Sequence, residues 1–203
     1  MGSQMSSTMV QNVFTNPVIQ RLTKAEDERE ANWCLPEDEA KLLYLLASIH
    51  QSSKIIELGT SIGYSTLHLA LATQPFNGVV HTIDASDERQ GTAKKNLADA
   101  GVLPNVRFIL GDALDALNGL KEEAVKKASL FDFIFLDAKK SEYVQYLALA
   151  NALIRPRGLL VADNTVSHQS EMTDFIQAIQ QSENWIVSHM QTANGLIIAQ
   201  KIN

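Results

Sequence analysis

The first clear pattern along the chain is helical. Apolar side chains recur at helical spacing at Leu42, Leu43, Leu46 and Ile49, and Pro36 stands just ahead of them, where the first turn of a helix accepts a proline. The pattern predicts a helix that leads into the core. Beyond it, short apolar runs alternate with longer segments that carry apolar residues on one helical face.

Five of these apolar runs have the length of buried strands. They are residues 55–58, 79–83, 106–110, 131–136 and 159–162. The helical segments between them are residues 65–73, 88–100, 113–127 and 141–153. This alternation predicts an α/β fold with a doubly wound, mostly parallel sheet, in which ligands bind beyond the carboxyl ends of the strands.

The C-terminal part of the chain departs from the alternation. After a further amphipathic helix around Phe175, two strand-like runs at 185–189 and 196–199 follow each other directly. The connection between them contains Asn194 and Gly195, a pair that favours a tight turn. We therefore expect an antiparallel hairpin that brings the sheet to seven strands.

Length and composition indicate one globular domain. The 203 residues include no apolar run long enough to cross a bilayer, and residues 1–8 lack the basic and apolar regions of a secretory signal, so a cytoplasmic location is expected. Cys34 is the only cysteine, which excludes an internal disulfide and a cysteine-rich zinc site. A formal net charge of −6 disfavours a broad nucleic-acid interface.

The first apolar run ends in a glycine turn. Residues 55–65 read IIELGTSIGYS, a strand that runs through Gly59 and Gly63 into a helix. Gly59 allows a sharp turn and a close approach to a ligand, and Gly63 allows the helix start to lie near the strand. A dinucleotide-binding loop would have a glycine in place of Ser61, which counts against NAD. The stretch resembles motif I of the class I S-adenosylmethionine (SAM) methyltransferases, which have a Rossmann-like fold.

Polar residues around the turn complete the predicted SAM site. Glu57 suits a ligand that carries a sulfonium cation, and Asp84 closes the second strand, where an acid can accept both ribose hydroxyls. By resemblance, Asp112 lies near the adenine ring, although a plain helix N-cap explains it equally well. The resemblance also implies that Ser65 can hydrogen-bond the methionine carboxylate. The full predicted cofactor set is Glu57, Gly59, Ser61, Gly63, Tyr64, Ser65, Asp84, Asp112, Ala113 and Asp137.

Two later strands end in polar side chains. The stretch FDFIFLDAKK ends its apolar run at Asp137, with Lys140 three residues later, and RPRGLLVADNTVSH ends its run at Asp163 and Asn164. Neighbouring strand ends of a parallel sheet point into one crevice, so these side chains are expected to meet. Two carboxylates and an amide oxygen suit a hard cation such as Mg²⁺ and leave coordination positions for water and substrate.

Here the chain resembles the catechol and caffeoyl-coenzyme A O-methyltransferases, from about Leu35 to the C-terminus. The resemblance implies that Asp137, Asp163 and Asn164 bind the metal and that Lys140 is the general base. A free lysine is protonated at neutral pH, so this role requires burial and a nearby cation. The implied activity is transfer of a methyl group from SAM to a hydroxyl of a small catechol-like or phenylpropanoid-like acceptor.

The same resemblance implies an organisation for the whole chain. Residues 1–34 would form an N-terminal extension with a helix that helps to cap the acceptor site, and residues 35–203 would form the methyltransferase domain. A homodimer is expected by the same analogy. Lys139 and Arg157 depart from the family pattern, and the segment after Asn164 is short, so the acceptor cannot be carried over from the relatives. Lys139 is interpreted as surface in preference to a contact for an acidic substrate.

Three other functions are kept as alternatives. A relative that methylates a hydroxyuridine of transfer RNA would use the same site, but the acidic net charge argues against it. A non-catalytic nucleotide-binding module would need Gly59, Gly63 and Asp84 but not Lys140. An NAD-dependent oxidoreductase would bind NADH in place of S-adenosylhomocysteine.

Isolated aromatic and histidine residues carry weaker predictions. Trp33 and Trp185 could line a pocket, but packing in the core is the usual role of an aromatic residue and is the one expected here. His168, four residues beyond Asn164, could face the acceptor, but a lone histidine is more often a surface or capping residue, and that role is expected.

Overall fold

A seven-stranded sheet organises the structure, a computed structural model that describes residues 12–203. The strands are β1 (Lys54–Leu58), β2 (Val79–Asp84), β3 (Val106–Leu110), β4 (Phe131–Leu136), β5 (Ile154–Ala162), β6 (Trp185–Met190) and β7 (Leu196–Lys201). Their order is β3-β2-β1-β4-β5-β7-β6; the first five pair in parallel, and β7 pairs antiparallel with both β5 and β6. The predicted mostly parallel α/β sheet is confirmed.

Helices cover both faces of this sheet. They are α1 (Pro17–Lys24), α2 (Glu26–Ala31), α3 (Glu37–Ile49), α4 (Tyr64–Thr73), α5 (Asp87–Asp99), α6 (Ala113–Lys127), α7 (Tyr143–Leu153) and α8 (Gln169–Gln180). Apolar residues of α1, α3, α4 and α5 form the core on one face, and those of α6, α7 and α8 form it on the other. The fold is therefore doubly wound, as the alternation of patterns predicts.

Strand β4 shows why the apolar runs become central strands. All six of its residues are buried, with Phe133 and Phe135 in one core and Ile134 and Leu136 in the other. A strand covered by helices on both sides needs apolar side chains at successive positions, and that requirement produces a nearly continuous apolar run. The exception is Asp132, whose carboxylate accepts hydrogen bonds from the backbone N–H groups of Ser53 and Lys54.

The predicted start of the fifth strand, residue 159, was wrong. Strand β5 begins at Ile154, which pairs with Phe131, while Leu159 pairs with Phe133. The intervening residues bulge out of the ladder, and Arg157 takes a left-handed conformation with φ +63°. Polar side chains in a bulge interrupt the apolar pattern, so the first half of the strand is hidden from a periodicity argument.

The N-terminal helices pack into the same core as the rest of the fold. Ile19 and Leu22 of α1 are buried in the cluster that contains α3 and α4. The predicted helix at Pro36 is confirmed as α3, with Leu43 buried, although Ile49 in its last turn is 79% exposed. The proposed boundary at residue 34 stays a prediction. The first 11 residues of the predicted N-terminal extension lie outside the described part of the chain. Within residues 12–203 no helix has the length and apolar character needed to cross a membrane.

The hairpin of β6 and β7 is also confirmed, with a connection longer than the Asn-Gly pair. Residues 191–195 form the connection, called here the hairpin loop. Gly195 has φ +81°, and a Cβ there would lie 2.4 Å from Cγ2 of Val166. The loop thus packs tightly against the segment that follows β5.

Candidate active site

A pocket of roughly 690 Å³ lies at the carboxyl ends of the parallel strands. Its walls come from the loops after β1, β2, β3, β4 and β5, from residues 30–34, and from the hairpin loop. The position is where doubly wound sheets bind ligands, and the volume is in the range of small-molecule and cofactor sites.

The glycine turn brings β1 against the loop that follows β4. Gly59 has φ +99°, and a Cβ there would lie 2.1 Å from the carbonyl oxygen of Asp137. Gly63 has φ +85°, and its closest neighbour is Cβ of Ala93 in α5, 3.0 Å from the point a Cβ would occupy. The close approach at Gly63 is therefore between two helices, and our expectation of helix against strand needs this correction.

Glu57 lies beneath the turn. Its side chain is fully buried, and Oε2 accepts hydrogen bonds from the hydroxyls of Thr66 at 2.5 Å and Thr82 at 2.6 Å. Oε1 has no hydrogen-bond partner within the described chain. Burial raises the pKa of Glu57 to about 7, with the hydrogen bonds opposing the rise.

Tyr64 and Ser65, predicted to contact the cofactor, point elsewhere in this structure. The Tyr64 hydroxyl lies 2.8 Å from that of Thr23, and Ser65 lies close enough to Glu57 to lower the pKa of that carboxyl. Both side chains are buried, and the part of the pocket wall formed by residues 12–203 includes neither of them.

Ser61, Asp84, Asp112 and Ala113 all line the pocket. The Asp84 carboxylate accepts hydrogen bonds from the backbone N–H groups of Ser61 and Ser86, both at 2.9 Å. Asp112 is the N-cap of α6, because its Oδ1 accepts from the backbone N–H of Leu114 at 2.8 Å. The N-cap interpretation of Asp112 is confirmed, and the residue also lines the pocket, whereas its position near the adenine ring stays a prediction.

The tips of β4 and β5 bring the other predicted residues together. Leu136 and Ala162 are register partners, so Asp137 and Asp163 leave the sheet side by side. The N–H of Asp163 donates to the carbonyl of Leu136 at 3.0 Å, and Asn164 then turns the chain with φ +68°. Lys140 Nζ donates to Oδ1 of Asp137 at 3.0 Å, with both side chains largely buried.

The charges at these tips are unevenly balanced. Asp137 has Lys140 as a partner, whereas Oδ1 of the buried Asp163 has no hydrogen-bond partner within residues 12–203. Burial, followed by the charges of Asp137 and Glu39, raises the pKa of Asp163 to about 8. Burial also raises the pKa of Asp137, opposed by Lys140. An unpaired buried carboxylate is costly unless a proton or a cation neutralises it.

The donor atoms at the tips fit a hard cation. Asp137 and Asp163 offer carboxylate oxygens, and Asn164 uses its amide nitrogen to donate to Ser167 at 3.2 Å, so its amide oxygen is the atom a cation would take. In the described residues, no three His, Cys, Asp or Glu side chains form a metal-binding group, and this set has only two carboxylates. The orphaned oxygen of Asp163 is the feature that favours a cation here.

Comparison with known proteins identifies the family. A family model described as O-methyltransferase matches residues 7–199. The chain belongs to the O-methyltransferase family. A catechol O-methyltransferase from Niastella koreensis is 41% identical over 129 residues, and a flavonoid 3',5'-methyltransferase from Vitis vinifera is 35% identical over 167 residues. These alignments cover 64% and 77% of this chain but only 57% and 70% of those proteins.

Solved O-methyltransferases share the architecture over nearly the whole chain. TomG from Streptomyces achromogenes, solved in complex with SAM, has a TM-score of 0.83 and 27% identity, with 92% of this chain and 90% of TomG covered. An O-methyltransferase from Bacillus cereus in complex with SAH has a TM-score of 0.76 and 28% identity, with 91% and 88% covered.

The rim of the O-methyltransferase pocket contains a residue that sequence analysis placed wrongly. Trp33 is 74% exposed and lines the pocket, with the Arg89 guanidinium 4.5 Å from its ring centroid. It follows α2 in a left-handed conformation with φ +51°, which directs it away from the core. Trp185 is buried, as predicted. Nothing local distinguishes the two tryptophans, because the difference depends on where each backbone segment lies in the fold.

The pocket wall also contains three further polar residues, Lys139, Tyr146 and His168. His168 is exposed, lines the pocket and stands at the N-cap position of α8 without a side-chain capping hydrogen bond. Its Nδ1 lies 3.1 Å from the Ser167 hydroxyl. Lys139 is 70% exposed and pairs with Glu142 at 2.6 Å, which agrees with a surface role although it also stands on the pocket wall. Tyr146 donates a hydrogen bond to Glu142 at 2.7 Å, a pocket contact that sequence analysis missed.

Glu39 is a second residue that sequence analysis missed. It is 1% exposed and lies in the first turn of α3, one helical turn before the buried Leu43. An acid on the apolar face of a predicted helix was the available signal, because such a residue is rarely buried without a specific partner.

Proposed function

We propose that this protein transfers a methyl group from SAM to a hydroxyl of a small aromatic acceptor of the catechol or phenylpropanoid type, assisted by a divalent cation, Mg²⁺. The observation that carries the proposal is the Lys140–Asp137 pair beside Asp163, whose Oδ1 has no hydrogen-bond partner within residues 12–203. The named activities of the Niastella and Vitis relatives and the SAM complex of TomG support it.

The cofactor would occupy the part of the pocket next to the glycine turn. Gly59 leaves space where a side chain would collide with the Asp137 backbone, and Ser61 and Asp84 present polar groups at the same wall. The Asp84 carboxylate can accept hydrogen bonds from ribose hydroxyls, and Asp112 stands at the start of α6 on the adjacent wall. The proposed cofactor position follows from these groups.

The cation would be held by Asp137, Asp163 and Asn164. When bound, it would supply a positive charge that stabilises the oxyanion formed from the acceptor hydroxyl. The two carboxylates offer the hard oxygen ligands that Mg²⁺ takes, and neutralising Asp163 removes the cost of a buried unpaired charge.

Lys140 would take the proton of the hydroxyl through its neutral amine. The proton would move from the hydroxyl oxygen to Nζ of Lys140. The oxygen would then form a bond to the methyl carbon while the S–CH₃ bond breaks, which leaves the neutral thioether of S-adenosylhomocysteine. Asp137 positions Lys140 through the 3.0 Å contact, so the base is held beside the strand tip. The remaining work of the site is to align the oxygen with the methyl group.

Transfer of labelled methyl from SAM to a panel of catechols and caffeoyl esters tests the proposal. We expect transfer that stops with a chelator and returns with Mg²⁺. Asp163→Asn should weaken Mg²⁺ binding, whereas Asp174→Asn, the same change at an exposed position of α8, should not. Transfer that is indifferent to chelator would contradict the cation, and the absence of transfer to every hydroxylated aromatic would contradict the acceptor class.

A further inference from the structure

Glu39 combines deep burial with an incomplete set of partners. Its Oε1 accepts a hydrogen bond from the backbone N–H of Asn194 at 3.2 Å. Its Oε2 is buried with no hydrogen-bond partner in the described residues. No salt bridge to Glu39 occurs within residues 12–203, and Lys41, the cation nearest in sequence, pairs with Glu37 instead. The fold therefore retains a buried carboxylate without the counter-charge that such a group normally has.

Hydrogen bonds connect Glu39 to the segment that carries Asn164. Glu39 holds Asn194 in the hairpin loop. The carbonyl oxygen of Asn194 in turn accepts from the N–H groups of Val166 at 2.8 Å and Ser167 at 2.9 Å. The loop after β5 is thus fastened to α3 through Asn194, although the residues at the two ends of this chain of contacts are far apart in sequence.

Buried carboxylates without counter-charges lie at both ends of this connection. Glu39 is at one end, and Asp163 is at the strand tip from which the loop after β5 starts. Each has one oxygen with no hydrogen-bond partner within residues 12–203, and Lys140 is already paired with Asp137. Such an arrangement is unfavourable in the free protein and favourable once a cation enters.

We propose that Glu39 is a positioning residue of the cation site, which strengthens cation binding by its charge and holds the hairpin loop against the segment of Asn164. The inference rests on the proposed function, because it requires a cation at Asp137, Asp163 and Asn164. Glu39 itself supplies no direct ligand. Residues outside the ligand set that orient or polarise the ligands typically change metal affinity by about 10- to 100-fold.

Mg²⁺ binding to the whole protein, measured by calorimetry without acceptor, tests this role. Glu39→Gln keeps an oxygen that can accept from Asn194 and removes the charge. We expect Mg²⁺ affinity to fall by roughly tenfold, while the melting temperature of the metal-free protein stays the same or rises, because a buried charge without a counter-charge is removed. Asp38→Asn is the matched control, since Asp38 is exposed, adjacent in α3, and loses the same charge.

The outcomes separate this inference from the proposed function. Unchanged Mg²⁺ affinity in Glu39→Gln, with normal binding by the wild type, would overturn the role of Glu39 alone. A fall in both Mg²⁺ affinity and metal-free melting temperature would show that Glu39 only supports the fold, and would also overturn it. A wild-type protein that binds no Mg²⁺ would overturn the cation in the proposed function and this inference with it.

Discussion

The backbone of Asp137 passes so close to Gly59 that a single added carbon on the glycine would lie 2.1 Å from the Asp137 carbonyl oxygen. This contact joins the turn that faces the cofactor pocket to the loop that carries the proposed base. The positions of the two halves of the site are therefore coupled through backbone packing, before any ligand is considered.

Gly59→Ala should disturb both halves at once. The new Cβ collides with backbone, and φ +99° is unfavourable for alanine, so the free energy of unfolding should fall by roughly 2–4 kcal/mol and Mg²⁺ affinity should fall as Asp137 moves. Gly119→Ala in α6 is the control, because no atom outside the local helix lies within 4 Å, and alanine there should add roughly 0.5–1 kcal/mol. Urea unfolding of both variants checks the prediction, and a similar effect of the two changes would contradict it.

Lys140→Ala should lower turnover by roughly a hundredfold or more, the usual size of a lost general base. The affinity for S-adenosylhomocysteine, measured by calorimetry, should change little, because Lys140 pairs with Asp137 and not with the groups of the glycine turn. Lys126→Ala, on the exposed surface of α6, should leave both quantities unchanged. A loss of cofactor affinity equal to the loss of turnover would mean that Lys140 supports the pocket structurally.

Glu57→Gln should make stability less dependent on pH. The folded pKa of Glu57, about 7, lies above its ordinary value of 4.5, so the folded state holds this proton more tightly than the unfolded state. This stabilisation is complete below about pH 4.5 and is lost as pH rises through about 7, with a maximum of about 3 kcal/mol. Glutamine stays neutral and can still accept from Thr66 and Thr82.

Urea unfolding of wild type and Glu57→Gln at about pH 5 and about pH 8 measures this effect. The variant should gain stability relative to wild type at the higher pH. An equal difference between the two proteins at both pH values would show that Glu57 does not titrate in this range.

Trp33 should report ligand binding by its fluorescence. It stands 74% exposed on the pocket rim beside Arg89, whereas Trp185 is only 4% exposed. A ligand that displaces water from the rim should shift Trp33 emission to shorter wavelength, because the indole then lies in less polar surroundings. Titration with S-adenosylhomocysteine should give this shift in Trp185→Phe and not in Trp33→Phe. A shift that persists in Trp33→Phe and disappears in Trp185→Phe would contradict the prediction that the ligand lies next to Trp33.

Much of the fold and the main residues of the candidate site could be predicted from local patterns. The apolar run of β4 and the Asp137 that ends it are visible in sequence, because a strand buried on both faces is mostly apolar and a polar residue marks its end. Once the sheet is parallel, the carboxyl ends of β4 and β5 lie at the same edge, and Asp163 follows from the same reasoning, although only the strand order makes the two tips neighbours. The bulge of β5 escaped prediction because its polar residues interrupt the pattern.

The sequence by itself determined the succession of strands and helices along the chain and the residues at the strand tips. Periodicity, and the polar residue that ends an apolar run, are local properties of the sequence. Only the tertiary structure decided that Trp33 faces the pocket rim and that Glu39 lies buried against Asn194, 155 residues away. The burial and charge environment of a side chain depend on which distant segments pack around it. Those contacts form only when the whole chain has folded.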